Sequence, residues 1–130
     1  MTDRERIIGL YQAFAVGDVP TVLAGMDPDI EWNEAEGFVY ASGNPYRGPQ
    51  AVLEGVFMRL MEDVEGFQVA PQRFRGENES VVVEGRYTGT WKSTGAKIDA
   101  QFAHVWDLKD GKVVRFQQYT DTAQWVAARG

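Results

Sequence analysis

One histidine and a few placed carboxylates limit what chemistry this chain can do. His104 is the only histidine, in the run Phe102-Ala-His-Val-Trp106. Alternation puts Ile98, Ala100, Phe102, His104 and Trp106 on one strand face, which should be buried. A buried imidazole needs partners for both ring nitrogens, and burial or a nearby carboxylate moves its pKa from about 6.5. His104 is therefore either a core histidine satisfied by hydrogen bonds or a pocket group that handles protons. Asp121 closes a strand rich in apolar and aromatic residues. Apolar surroundings raise a carboxyl pKa, which suits proton transfer near neutrality. The plainer role is an N-cap for a helix over Thr122–Ala128.

A hairpin would bring the two together. Asp110-Gly111 is a strong turn signal, and pairing about it sets His104 opposite Gln117 or Gln118. Asp121 then lies about three residues further on, roughly 10 Å at about 3.4 Å per residue, a gap that a ligand would bridge. Strict alternation groups Gln117, Tyr119 and Asp121, so Gln117 is expected to orient a substrate carbonyl. Tyr11, Trp32, Phe57, Tyr87 and Phe102 are expected in the pocket wall, although each would serve equally as plain core. Trp32 and Tyr87 stand out because a buried polar tip wants a partner. Glu34 and Glu36 follow Trp32 and could reach the pocket mouth, although a solvated loop is the expected place for them. Asp99 is out of phase with His104 and should face the other side of the sheet. One histidine among scattered carboxylates lacks metal-ligand spacing, and neither a nucleophile elbow nor a phosphate-binding glycine loop is present.

The elements that must position these residues run helices first, strands afterwards. Thr2 with Glu5 forms a capping box ahead of Ile7, Ile8, Tyr11, Phe14 and Ala15 at helical spacing. Asp18 and Pro20 open a second, short helix. Ile30–Asn33 reads as a strand, Glu34–Gly48 as a long loop, and Pro49 opens a third helix that ends at Gly66. Strands are expected over Phe67–Gly76, Ser80–Thr90, Lys97–Lys109 and Lys112–Asp121, then a closing helix. This order predicts one α+β domain, a curved, mostly antiparallel sheet wrapped on helices around an apolar pocket.

Composition removes whole classes of function. The 130 residues are 44% hydrophobic and 25% charged with net charge −6, so neither nucleic acid nor an anionic membrane surface is an expected partner. There are no cysteines, which excludes disulfides and thiolate metal sites. No apolar run is long enough to span a bilayer, and no apolar signal region follows the charged start. A cytoplasmic protein is expected.

The hairpin Phe102–Asp121, with an inward His104, Trp106, Asp110-Gly111-Lys112 and a closing Tyr119-x-Asp121, resembles the last hairpin of SnoaL-like proteins of the nuclear transport factor 2-like superfamily. The order of elements is similar along essentially the whole chain. The resemblance implies a cone-shaped α+β (cystatin-like) fold, a homodimer through the outer sheet face, no cofactor, and a small hydrophobic ligand. From the polyketide cyclases it implies Asp121 as general acid/base with His104 beside it. The ketosteroid isomerase oxyanion hole, an inward Tyr with a protonated Asp, is not visible, because Phe102 or His104 stands where that Asp would be; Tyr11 is a candidate for the Tyr. The Asp–Arg–Asp set of limonene epoxide hydrolases is also missing. Fold alone does not choose a function. The expected activity is acid–base chemistry beside a carbonyl of a small hydrophobic molecule, as in an isomerase, cyclase or dehydratase; the alternatives are a ligand-binding module and an interaction domain with a vestigial pocket.

Overall fold

The computed structural model describes residues 1–130. Four helices pack on one six-stranded sheet that bends without closing. Helix α1 (Asp3–Ala15) begins at the expected capping box, Thr2 and Glu5 bonding to each other's backbone N–H. Helix α2 (Val19–Ala24) is capped by Asp18. Strand β1 (Met26–Asn33) and the short β2 (Tyr46–Arg47) flank the loop. Helix α3 starts over Pro49–Val52, widens into a π-helical turn at Leu53–Phe57 and resumes over Met58–Asp63. Then come β3 (Val64–Arg75), β4 (Ser80–Trp91), β5 (Lys97–Lys109), β6 (Lys112–Thr120) and α4 (Thr122–Arg129). The sheet order is β2-β1-β6-β5-β4-β3. Only the β1–β6 pair is parallel. Helix α3 stops three residues before Gly66, which instead sits inside β3 at a register shift with φ +65°.

Alternation on β5 is strict, with every even residue from Ile98 to Leu108 buried. On β6 it is not. Asp107 pairs with Arg115, but Leu108 pairs with Val113, so Val114 is a bulge. Past it, Phe116 and Gln118 turn inward while Gln117 and Tyr119 turn outward. The loop between β1 and β2 packs inward rather than spreading into solvent: Phe38, Val39 and Tyr40 are buried. Asn44 clamps it, accepting from Glu34 N–H (2.9 Å) and donating to Glu34 C=O (2.8 Å). The Tyr46 hydroxyl donates to Tyr40 C=O at 2.6 Å, its ring lying against Gly43 and Gly55 where a Cβ would collide. No helix is long and apolar enough to cross a membrane.

Candidate functional site

Between the helices and the concave sheet face lies a cavity of about 70 Å³, with 15 hydrophobic residues among the 18 that line it. Helix α1 contributes Tyr11, α3 contributes Val56 and Phe57 from its π-turn, and α4 contributes Trp125. Trp32 stands in β1, stacked on Phe116 with ring centres 3.7 Å apart. The polar groups in the wall are Glu34, His104, Gln118 and the hydroxyls of Tyr11 and Tyr87.

Imidazole and hydroxyls form one chain. His104 Nδ1 is 2.6 Å from the Tyr11 hydroxyl, and its Nε2 is 2.5 Å from that of Tyr87. The Trp106 indole N–H donates to Tyr11 Oη at 3.0 Å, and Gln118 Nε2 donates to Tyr87 Oη at 3.0 Å. Gln118 Oε1 accepts from Ala35 N–H at 3.1 Å, which fixes the amide's orientation. Register delivers this arrangement: Gln118 sits opposite His104 on β6, and Phe116 opposite Trp106. Phe102 stacks on the imidazole with centres 4.0 Å apart. Its ring has room because Gly85 faces it across the β4–β5 pair, where a Cβ would come within 2.6 Å. Burial, with no charged neighbour to offset it, pushes the His104 pKa down to about 3. The ring is therefore neutral at pH 7. Burial drives both tyrosine pKa values well up, so the hydroxyls keep their protons.

Glu34 is the other unusual group. It is 3% exposed, and burial raises its pKa to about 8. The Trp32 indole N–H opposes that rise slightly, yet it is too poorly placed to count as a hydrogen bond and remains without a partner, as does the Trp125 N–H. The cavity thus presents a carboxyl that changes charge near neutrality, beside apolar walls and unpartnered donors. No group of three or more His, Cys, Asp or Glu residues is placed to hold a metal ion.

The family model described as the SnoaL-like domain matches residues 7–116. The chain belongs to the SnoaL-like family. Among solved structures, an NTF2-like protein from Burkholderia thailandensis is 32% identical, with TM-score 0.95 over 100% of this chain and 98% of that one. TerC, co-crystallised with polyporic acid, is 26% identical with TM-score 0.84, covering 98% and 97%. A SnoaL-like polyketide cyclase from Jannaschia shares the fold at 20% identity, with TM-score 0.81 over 97% and 90%. No curated protein matches the chain.

This SnoaL-like domain brings together Tyr11, Trp32, Phe57, Tyr87 and His104, all lining the cavity. Phe102 is buried but supports His104 from behind and is not in the lining. Three expectations need correction. Asp121 is exposed and outside the cavity; its side chain caps α4 by accepting from Gln124 N–H at 3.3 Å. Tyr119 is 56% exposed. Gln117 turns away from the cavity, its amide bonded to the Gln118 backbone, and Gln118 takes the inward place. One cause covers all three: the Val114 bulge inverts the alternation over the second half of β6. For Glu34 the structure realises the alternative at the pocket and not the expected solvated loop, because nothing in its spacing tells that Asn44 pins the loop inward. The π-turn carried a faint signal in Gly55, an interior helix glycine.

Proposed function

We propose that this SnoaL-like domain binds a small, largely apolar carbonyl compound and moves a proton beside its carbonyl without a cofactor, with Glu34 as the base. The observation that carries this reading is the Glu34 carboxyl: it lines the cavity, is buried, has no well-formed hydrogen bond, and has a pKa raised to about 8. A base is most effective when its pKa lies near the working pH. Glu34 takes a proton from the carbon next to the carbonyl, and the C–H electron pair moves toward oxygen to give an enolate. A tyrosine hydroxyl of the His104 chain donates a hydrogen bond to that oxygen. Glu34 then returns the proton, to a different carbon in an isomerisation. His104 does not touch the substrate, since both its nitrogens are occupied. The co-crystallisation of TerC with polyporic acid supports a small-molecule ligand, as does Phe38, which reaches the cavity wall from the inward-packed loop.

The test uses acetophenone and its isostere α-methylstyrene, in which C=CH₂ replaces C=O. The ketone is expected to bind at least about fivefold more tightly, since a buried donor left unpaired costs about 1–3 kcal/mol. In D₂O the protein should speed deuterium exchange into the ketone methyl group. The rate should rise about tenfold per pH unit until Glu34 ionises near pH 8 and then level off. Glu34→Gln should abolish exchange. Asp121→Ala should cost about 1 kcal/mol of stability as a lost helix cap and leave exchange intact. Binding without exchange would favour the pure binding module, and equal affinity for both compounds would sink the carbonyl reading.

The proposal includes pairing of two copies through the outer sheet face, where Val82 pairs with Val105 and Ala103 pairs with Glu84 in the β4–β5 register. Sedimentation equilibrium should then give twice the mass of 14.6 kDa, and a monomer mass would refute the pairing.

A further inference from the structure

The His104 chain has four contacts: Trp106–Tyr11, Tyr11–His104, His104–Tyr87 and Tyr87–Gln118. The direction of both outer contacts is fixed. An indole N–H only donates, and the Gln118 amide cannot turn round because its oxygen is held by Ala35 N–H. A neutral imidazole carries one N–H and one bare nitrogen. Five protons are therefore available for four contacts: those of the Trp106 indole, the Gln118 amide, the imidazole and the two hydroxyls.

If the imidazole proton is on Nδ1, Tyr11 accepts from both Trp106 and His104, and its own O–H has no acceptor in the chain. Tyr87 then donates to Nε2. If the proton is on Nε2, the roles reverse: Tyr87 accepts from Gln118 and His104, and Tyr11 donates to Nδ1. In either case one hydroxyl has both lone pairs engaged and a proton to spare, and both hydroxyls belong to cavity-lining residues. We propose that this spare proton is held for an acceptor atom of the ligand, and that the tautomer of His104 decides whether Tyr11 or Tyr87 delivers it. His104 is thus a positioning residue acting through two hydroxyls. It can move the donor from one side of its ring to the other while every side chain keeps its rotamer. The hydroxyl that carries the spare proton offers the ligand oxygen a donor and no free acceptor, which is what a ketone oxygen requires. The identity of that oxygen as a carbonyl rests on the reading above; the proton count does not.

Because His104 is the sole histidine, ¹⁵N-histidine labelling reports this ring alone. At pH 7 the native protein is expected to show a neutral ring, its two nitrogens either one protonated and one bare or averaged between those states. Two protonated nitrogens would mean a cation and two spare hydroxyl protons, and would overturn the proposal without any variant. Tyr11→Phe should place the proton on Nδ1, leaving Tyr87 to donate to Nε2. Tyr87→Phe should place it on Nε2. Each choice leaves fewer buried groups unpaired than its alternative. The same nitrogen protonated in both variants would overturn tautomer control, even if ketones bind. Opposite tautomers with no affinity for acetophenone would leave the spare proton standing and sink the carbonyl function instead.

Discussion

Glu34→Gln is expected to keep or slightly gain stability as pH rises from 6.5 to 8, a range over which the native protein loses about 1 kcal/mol. Two buried groups of opposite kind produce the native profile. Glu34 has its pKa raised from 4.5 to about 8, so between those values the unfolded chain gives up a proton that the folded chain keeps, and stability falls as pH rises. His104 has its pKa lowered from 6.5 to about 3, so between those values the unfolded chain takes up a proton that the folded chain refuses, and stability falls as pH drops. The windows overlap from 4.5 to 6.5, where the slopes oppose each other and leave a plateau. Above 6.5 Glu34 dominates: its effect to pH 8 is about 1.6 kcal/mol, since the slope halves at its pKa, and the end of the unfolded-state histidine titration offsets about 0.4 kcal/mol of that, which leaves a net loss of about 1 kcal/mol. Urea unfolding at half-unit pH steps measures it. A native protein equally stable at pH 6.5 and 8 would show that Glu34 is hydrated and ionises at its ordinary pKa.

His104→Phe should be among the most destabilising single substitutions in the chain, by roughly 4 kcal/mol. The Tyr11 and Tyr87 hydroxyls would both lose their ring-nitrogen partners, at about 1–3 kcal/mol each where water cannot reach, and linked hydrogen bonds do not fail independently. The urea midpoint should drop with the slope m unchanged, marking a loss of stability without a change of fold. A loss below about 1 kcal/mol would mean that water enters and takes over the ring's partners.

The architecture was legible because local signals agreed with one another. The capping box at Thr2, the helical stripe through Tyr11 and the strict alternation of Lys97–Lys109 are short-range patterns, and the structure keeps all three. His104 and Tyr11 followed from those patterns, one as the only histidine and the other as an inward helix residue. What failed depended on long-range facts. A single bulged residue, Val114, moved the inward place from Gln117 to Gln118 and left Asp121 to its capping role. Val113 and Val114 are alike in size and hydrophobicity, so no composition rule says which one bulges. Glu34 looked solvated because acidic residues in loops usually are. Its burial is decided ten residues away, by Asn44.

The bond from Ala35 N–H to Gln118 Oε1 bears on how this site withstands mutation. The polarity of the Tyr87 end of the chain is set by a main-chain amide, which every residue except proline supplies. Genetic drift at position 35 can alter the fit of a small side chain but cannot reverse the direction in which hydrogen bonds run toward His104. That sense of direction is therefore inherited with the backbone, while the apolar wall around the ligand stays free to diversify.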